Sequence, residues 1–290
     1  MSAEHAGPAH RAGPAHRAGR AGSVPGRLVG VGVGPGDPEL VTMKAVRALR
    51  GADVVFVPVS DGHGPYGPAR PAPAGAGATG TAGDAEAGRA EAIVLAHLDP
   101  AGPPPRRLPF RMTGAADYAG PAATVAAALD AHPGGTVAFA TIGDPNVYST
   151  FTALAAAVRA LRPDTTVTTV PGITAMQDLA ARSGTVLAVG AETVALLPLT
   201  AGLDAYRRAV ADHDTVVAYK GGRALPDVLA VLAAAGRDGV YGAALGLPGE
   251  DILPTGDLPA AAAGPYLSTV ISTRRPAGPP DSDPDSGGAP

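Results

Sequence analysis

The chain has 290 residues, enough for two ordinary α/β domains or one large one. It contains no cysteine, which excludes disulfides, thiolate nucleophiles and thiolate metal sites, and no metal site is predicted. The net charge of −4 offers no basic face for nucleic acid. The sequence lacks an unbroken apolar run of membrane-spanning length, and its first 26 residues lack the apolar core of a secretory signal. We therefore expect a cytoplasmic protein that binds neither nucleic acid nor membrane.

Three tracts have a composition that does not favour a packed core. Residues 1–26 contain a six-residue repeat that carries His10 and His16, and residues 276–290 are rich in Pro, Gly, Asp and Ser. We predict both to be disordered tails, in which Pro- and Gly-rich sequence cannot preorganise the two histidines for a metal. Residues 62–88 are also of low complexity and are predicted to form a surface insertion.

The segment 28–45 predicts a buried strand, a glycine-rich turn and a capped helix. Valine and glycine alternate up to Gly34, which favours a strand that another backbone can approach closely. Asp37 is a good N-cap residue, and Pro38 suits the first helical position because its missing N–H costs nothing there. Apolar residues then recur at helical spacing until Gly51 ends the predicted helix.

This turn fails the test for a dinucleotide-binding fingerprint. The pattern G-x-G-x-x-G requires a glycine at position 35 or 37, where the chain has Pro35 and Asp37. A pyrophosphate needs free backbone N–H groups and an uncluttered helix N-terminus. Here Pro35 and Pro38 remove two donors, and Asp37 adds negative charge. The turn therefore suits a cationic or neutral ligand better than a diphosphate, although it could also be only a tight structural turn.

The rest of the globular sequence alternates between strand and helix patterns. This alternation predicts a mostly parallel sheet covered by helices, divided into two sheets because of the chain length. The further predicted strands are 52–59, 135–142, 165–170, 193–197, 215–219, 240–245 and 267–272, and the helices are 89–98, 121–131, 145–161, 175–182, 203–212 and 224–236.

Two later turns repeat the pattern of the first. Gly143-Asp144-Pro145 again places glycine, aspartate and proline between a strand and a helix, and Thr174 and Gln177 have the spacing of a capping box. Turns at the carboxyl ends of parallel strands meet at the ligand crevice of open α/β sheets. Each could be an ordinary helix cap, but three turns of one composition favour a common site.

These three motifs resemble the signature motifs of the tetrapyrrole (corrin/porphyrin) methyltransferases. The resemblance extends over 27–275, and implies two α/β domains, 27–172 and 173–275, with S-adenosylmethionine bound in the cleft between them. It also implies a homodimer. Three stretches, 108–113, 143–151 and 219–223, look most like the branch that methylates precorrin-2 at carbon 20 in cobalamin biosynthesis.

The resemblance assigns site residues by motif position. Asp144 and Tyr148 are candidates for catalysis, but Asp144 could instead be an N-cap and Tyr148 a core residue at a helix turn. Many relatives have methionine where this chain has Lys220, which weakens the prediction of an apolar cofactor contact there. The implied cofactor-binding residues are Pro35, Ile142, Gly143, Asp144, Tyr148, Thr174, Ala175, Lys220, Ala243, Ala244, Leu245 and Thr269.

The implied substrate, precorrin-2, carries eight carboxylates, so the cleft should offer cations. Arg111 and Arg223 are the preferred candidates because they lie within motif-like stretches, and Arg106, Arg107 and Lys220 are others. Other readings remain open: a related enzyme acting on another ring position, on a cobalt-bearing precursor or on the diphthamide precursor, a nicotinamide-dependent dehydrogenase, or a non-catalytic nucleotide-binding module.

Overall fold

The computed structural model describes residues 24–60, 88–110, 117–265 and 267–274. These residues form two five-stranded sheets with helices packed against them. The predicted tails lie outside the described residues except for 24–26, and so does the predicted insertion except for Gly88. Arg111 lies outside them as well. No helix within the described ranges is long and apolar enough to cross a membrane.

The first sheet is entirely parallel and is covered on both faces. Its strand order is β3-β2-β4-β1-β5, which places β1 between β4 and β5. One face packs against α3 and α4 around Phe56, Phe139 and Leu154, and the other packs against α1 and α2 around Val31 and Ile93. Burial on both faces explains why these strands are almost continuously apolar. The elements are β1 Arg27–Gly32, α1 Met43–Arg50, β2 Val54–Ser60, α2 Arg89–Leu95, β3 Arg106–Phe110, α3 Ala119–Ala131, β4 Thr136–Thr141, α4 Phe151–Leu161 and β5 Thr166–Val170.

The second sheet is mixed, so the prediction of mostly parallel strands is wrong for it. Its order is β6-β7-β10-β8-β9, and only the β6–β7 pair is parallel. The connection 244–250 between β8 and β9 contains no α-helix and is shorter than the crossover that parallel strands need, so these two strands are antiparallel. The elements are α5 Ala175–Ser183, β6 Val194–Pro198, α6 Leu203–Asp212, β7 Thr215–Tyr219, α7 Leu225–Ala235, β8 Asp238–Ala243, β9 Asp251–Pro254 and β10 Ser268–Thr273.

Helix α5 connects the two halves of the molecule. It follows β5 of the first sheet, yet its buried Leu179 and Ala180 pack against Val217, Val240 and Ile271 of the second sheet. Helices α6 and α7 cover the opposite face of that sheet. The first turn of α5 therefore lies where the two sheets meet.

Two helices begin later than predicted. Asp37 caps only a short 3₁₀ turn at Pro38–Leu40, where its Oδ1 accepts from the N–H of Glu39 at 2.8 Å. Thr42 is extended and caps α1 by accepting from the N–H of Ala45 at 3.1 Å, so α1 begins at Met43. Helix α4 begins at Phe151 rather than at 145, because the backbone at Tyr148 has a φ of 49°, which a right-handed helix does not accommodate.

Candidate active site

The three predicted turns converge at one edge of the first sheet. Since β4, β1 and β5 are adjacent and parallel, their carboxyl ends lie side by side. The turns after β1 and β4 are joined directly, because the N–H of Gly143 donates to the carbonyl of Gly34 at 2.7 Å. The convergence expected from the sequence is therefore present in the fold.

The packing between these turns explains two of the glycines. A Cβ atom on Gly172 would lie 2.1 Å from the carbonyl oxygen of Gly143, and one on Gly32 would lie 2.5 Å from the same oxygen. No side chain fits at either position. The backbones of all three turns therefore approach one another more closely than any other residue type would allow.

Asp144 fastens two of these turns together. Its side chain is buried; Oδ1 accepts from the N–H of Asn146 at 2.7 Å and Oδ2 accepts from the N–H of Gly172 at 3.0 Å. The interpretation of Asp144 as the N-cap of α4 is wrong, since that helix begins at Phe151. The carboxylate instead fixes the position of the third turn against the second and leaves a negative charge at their junction.

The third turn leads into the first turn of α5, where the predicted capping box is confirmed. The side-chain oxygen of Gln177 accepts from the N–H of Thr174 at 2.8 Å. Next to it, the N–H of Met176 donates to the Tyr219 hydroxyl at 3.1 Å. Burial raises the pKa of Tyr219, and hydrogen bonds with Thr174 and Met176 partly oppose that rise. The end of β7 is thereby tied to the start of α5.

The second sheet presents its own strand ends to this junction. β7 and β8 end there, and antiparallel β10 begins there, with Thr269 paired between Tyr219 and Gly242. Ala243 is the last residue of β8, so Ala244 and Leu245 belong to the connection that follows rather than to the predicted strand.

The connection after β8 packs against the turn after β1. A Cβ atom on Gly36 would lie 1.9 Å from the carbonyl oxygen of Leu245, and one on Gly246 would lie 2.4 Å from the backbone nitrogen of Asp37. Glycine on both sides is required for this approach. The two halves of the molecule therefore meet through bare backbone beside the three converging turns. Sequence reasoning did not assign Gly36 or Gly246 to the site, although the Gly246-Leu247-Pro248-Gly249 run signals a turn.

Backbone strain is concentrated at the same place. Among the described residues, the non-glycine residues with positive φ are Tyr148 at 49°, Lys220 at 61° and Ala244 at 50°. All three were assigned to the site from the motifs. Non-glycine residues in this conformation are uncommon, and they cluster at functional sites.

Tyr148 and Lys220 link the turn after β4 to the end of β7. The Tyr148 hydroxyl donates to the carbonyl of Leu196 on β6 at 3.0 Å, and the Lys220 ammonium lies 3.4 Å from the Tyr148 carbonyl and 5.9 Å from its ring centroid. The rings of Tyr148 and Tyr219 meet edge to face at 6.0 Å. Tyr148 remains 42% exposed, so the interpretation of it as a core tyrosine is wrong.

The predicted cations do not all reach this junction. Arg106 and Arg107 begin β3, at the amino end of the sheet's edge strand, whereas the turns follow carboxyl ends. Arg107 is also held by Glu91 of α2, with its Nε 2.9 and 3.0 Å from the two carboxylate oxygens. Arg223 lies exposed in a 3₁₀ turn shortly after Lys220.

The remaining site residues lie within the same group of turns and strand ends. Pro35 and Gly143 are buried between the turns, and Ile142 is half-buried. The residues that the resemblance assigns to cofactor binding therefore lie on the turns and strand ends described above, on both sheets.

Comparison with known proteins identifies the family. The family model "Tetrapyrrole (Corrin/Porphyrin) Methylases" matches residues 27–261. The chain belongs to the tetrapyrrole methylases. The resemblance seen in the sequence motifs is therefore confirmed.

Two similar proteins of this family come from cobalamin biosynthesis or act on a precorrin, by their names. The chain is 35% identical to the precorrin-2 C(20)-methyltransferase of a Sinorhizobium species, over 73% of this chain and 80% of that protein. It is 34% identical to the cobalamin biosynthesis protein CobIJ of Mycobacterium tuberculosis over 86% of this chain, a match that spans only 46% of the longer mycobacterial protein.

A solved tetrapyrrole methylase has the same fold. The uroporphyrin-III C-methyltransferase of Thermus thermophilus, determined with S-adenosylhomocysteine, superposes with a TM-score of 0.54 at 20% identity, covering 86% of this chain and 97% of that one. The predicted two-domain α/β fold is confirmed.

Proposed function

We propose that this tetrapyrrole methylase transfers a methyl group from S-adenosylmethionine to carbon 20 of precorrin-2, giving precorrin-3A in cobalamin biosynthesis. The observation that carries the proposal is the convergence of three turns, the first of them poor in backbone donors, against the connection after β8. The branch assignment is supported by the similarity to a precorrin-2 C(20)-methyltransferase and by the three motif stretches that resemble that branch.

The residues at the junction fit S-adenosylmethionine, which carries a sulfonium cation and no phosphate. Pro35 and Pro38 remove backbone donors that a diphosphate would need, whereas the Asp144 carboxylate supplies negative charge beside the turns. The related enzyme determined with S-adenosylhomocysteine supports the same cofactor. In this proposal the strand-end residues Ala243, Ala244, Leu245 and Thr269 face the adenosine part of the cofactor, and Thr174 and Ala175 lie on the opposite wall.

The bound cofactor supplies an activated methyl group, and the protein supplies orientation. The backbones packed around Gly32 and Gly172 form a rigid floor, and Tyr148 and Lys220 link the two sheets across it. Holding reactants in a near-attack arrangement can contribute about 7–11 kcal/mol to catalysis. Since the substrate is itself an electron-rich carbon nucleophile, most of the catalysis comes from positioning the two reactants.

Tyr148 is placed to steer the substrate. The residue is partly exposed, its backbone is strained, and burial raises the pKa of its phenol. The proposed cations for the substrate carboxylates are Lys220 and exposed Arg223, with Arg111 as a further candidate from the sequence. In this arrangement the macrocycle lies over the Tyr148 side of the junction.

A second candidate is methylation of a different ring position, or of a cobalt-bearing precursor, by the same site. The similarity to CobIJ over 86% of the chain supports this second candidate. A nicotinamide-dependent dehydrogenase lacks such support, because the turn after β1 does not have the required glycines.

The same proposal includes the domain organisation, the oligomeric state and the location of the protein. We infer domains at 27–172 and 173–275 and a homodimer in the cytoplasm. Light scattering on the purified chain would test the dimer, and limited proteolysis would test the boundary near the start of α5.

Two measurements test this function. Calorimetric titration with S-adenosylhomocysteine and with NAD should give binding to the first compound alone. Mass spectrometry of precorrin-2 incubated with the chain and S-adenosylmethionine should show one added methyl group, located at carbon 20. One methyl at another carbon would favour the second candidate, and binding of NAD without S-adenosylhomocysteine would reject methyl transfer.

A further inference from the structure

An ion-pair cluster lies behind the junction of the two sheets. We call Asp178, Arg182 and Glu250 the Arg182 clamp. Arg182 Nε lies 3.2 Å from Oδ1 of Asp178, one helical turn earlier on α5, and Arg182 Nη1 pairs with Oε2 of Glu250. The same Glu250 oxygen accepts from the N–H of Gly246 at 2.5 Å. One guanidinium therefore joins α5 to the connection 244–250.

The clamp connects two opposite walls of the proposed cofactor site. Helix α5 begins at Ala175, next to Thr174, and the connection begins with Ala244 and Leu245. Arg182 itself lies two turns along α5, away from the proposed cofactor, so it affects those walls only through its ion pairs. Gly246, which the clamp holds through Glu250, is the residue packed against Asp37 of the turn after β1.

Arg182 compensates the charge of a buried carboxylate in this cluster. Asp178 is 4% exposed at its side chain, and its Oδ2 has no hydrogen-bond partner within the described part of the chain. Burial raises the pKa of Asp178, Arg182 opposes that rise, and the carboxylates of Glu250 and Asp37 add to it. Two carboxylates, one on α5 and one in the 244–250 connection, thus pair with one guanidinium, and the Asp37 carboxylate acts on Asp178 as well. Removing the guanidinium would leave a buried negative charge beside two others.

We propose that Arg182 is a positioning residue for cofactor binding, which fixes the 244–250 connection against α5 so that the walls of the site stay at the correct separation. This inference rests on the proposed function. It assigns Arg182 no contact with the cofactor or with reacting atoms. Its effect should therefore appear in affinity for the cofactor rather than in the rate of the chemical step.

The test compares variants of the full-length chain in calorimetric titrations with S-adenosylhomocysteine. Arg182→Met keeps the apolar stem and should raise the Kd by about 10- to 100-fold, the range expected for loss of a charge-assisted hydrogen bond. The KM for S-adenosylmethionine should rise by a similar factor, with kcat nearly unchanged. Arg182→Lys should restore part of the affinity, since it keeps the charge but not the planar fork.

The pH dependence distinguishes positioning from a general loss of structure. In Arg182→Met, affinity should recover as the pH is lowered, because protonation of Asp178, whose pKa burial raises, relieves its repulsion with Glu250 and Asp37. The wild-type chain should show no such recovery. Arg207→Met, which breaks an exposed ion pair with Asp204 on α6, is the matched control and should leave affinity unchanged.

The outcomes separate the two proposals. A wild-type chain that does not bind S-adenosylhomocysteine overturns the proposed function, and the role of the clamp with it. If the wild type binds and Arg182→Met binds as tightly as Arg207→Met, the clamp alone is overturned. Should Arg182→Met fail to fold, Glu250→Gln tests the role of the clamp instead. Weakened binding of S-adenosylhomocysteine supports that role, and unchanged binding contradicts it.

Discussion

Single glycine residues set the shape of the proposed site. Gly32 and Gly172 have no room for a Cβ atom, so the backbones of three turns can meet. The alternation of glycine and valine in β1 predicted such an approach, but not which backbone would be the partner. That partner is specified by the strand order β4-β1-β5, which no local pattern encodes.

Gly172→Ala should therefore damage both folding and binding. The added Cβ would lie 2.1 Å from the carbonyl oxygen of Gly143, and such overpacking costs about 1–3 kcal/mol. Urea unfolding should show that loss, and calorimetry should show much weaker binding of S-adenosylhomocysteine. Gly256→Ala is the control, because a Cβ there meets nothing within 4 Å. Equal behaviour of the two variants would contradict the packing argument.

Tyr206 provides a pH-dependent test of the core of the second sheet. Burial raises its pKa from 10.0 to about 12, with smaller opposing effects from Ser272 and Arg237. The neutral phenol is thus favoured in the folded state. Its stabilising contribution is complete below pH 10 and is lost as the pH rises towards 12.

The measurement is the free energy of unfolding across that alkaline window. The wild type should lose about 2–3 kcal/mol more than Tyr206→Phe as the pH rises, since the variant has no proton to release. Equal slopes for the two proteins would mean that the phenol is not buried as the structure describes.

At the scale of the elements, most helices and strands were predictable, and the misses have physical causes. Strand β3 contains Pro109, which discourages a strand assignment, but β3 lies at a sheet edge where proline is tolerated. Strand β9 has only four residues and little periodicity. The antiparallel pairing in the second sheet depends on connections without helices, and the sequence gives no direct sign of strand direction.

The start of α1 shows how two good caps compete. Both Asp37 and Thr42 are suitable N-cap residues, and the sequence favoured Asp37 because proline follows it. In the structure the chain becomes extended again at Val41 and Thr42, so Thr42 takes the cap. Asp37 is left beside Gly246 at the contact between the two halves.

Thr42→Ala should consequently destabilise the protein by about 1 kcal/mol, the usual value of an N-cap hydrogen bond. Urea unfolding would measure it. Thr42→Ser keeps the hydroxyl that accepts from Ala45 and should retain most of the stability. A loss in Thr42→Ser as large as in Thr42→Ala would show that the hydroxyl is not the capping group.

At the scale of the whole molecule, the proposed site depends on the contact between the two halves. The motifs predicted residues from both sheets, but only the fold shows that Gly36 meets Leu245 and Gly246 meets Asp37. These contacts join segments about two hundred residues apart in sequence, beyond the reach of any local pattern. The Arg182 clamp was missed for the same reason.

Gly246→Ala and Gly249→Ala separate this contact from simple backbone strain. Both glycines lie in the same connection with positive φ, at 68° and 81°. A Cβ at position 246 would lie 2.4 Å from the nitrogen of Asp37, whereas at position 249 it would meet nothing within 4 Å. Both variants should lose similar backbone stability, but only Gly246→Ala should lose affinity for S-adenosylhomocysteine, by about tenfold or more. Equal affinities would contradict a role for the contact.

In the proposed site, the three converging turns and the connection after β8 together enclose the methyl donor. A crystal structure of the chain with S-adenosylhomocysteine would locate the ligand. We expect it between the Gly143 turn, the start of α5 at Thr174 and the end of β8 at Ala244. Ligand density away from these segments, or a dinucleotide diphosphate seated on Gly34 and Gly36, would contradict this expectation.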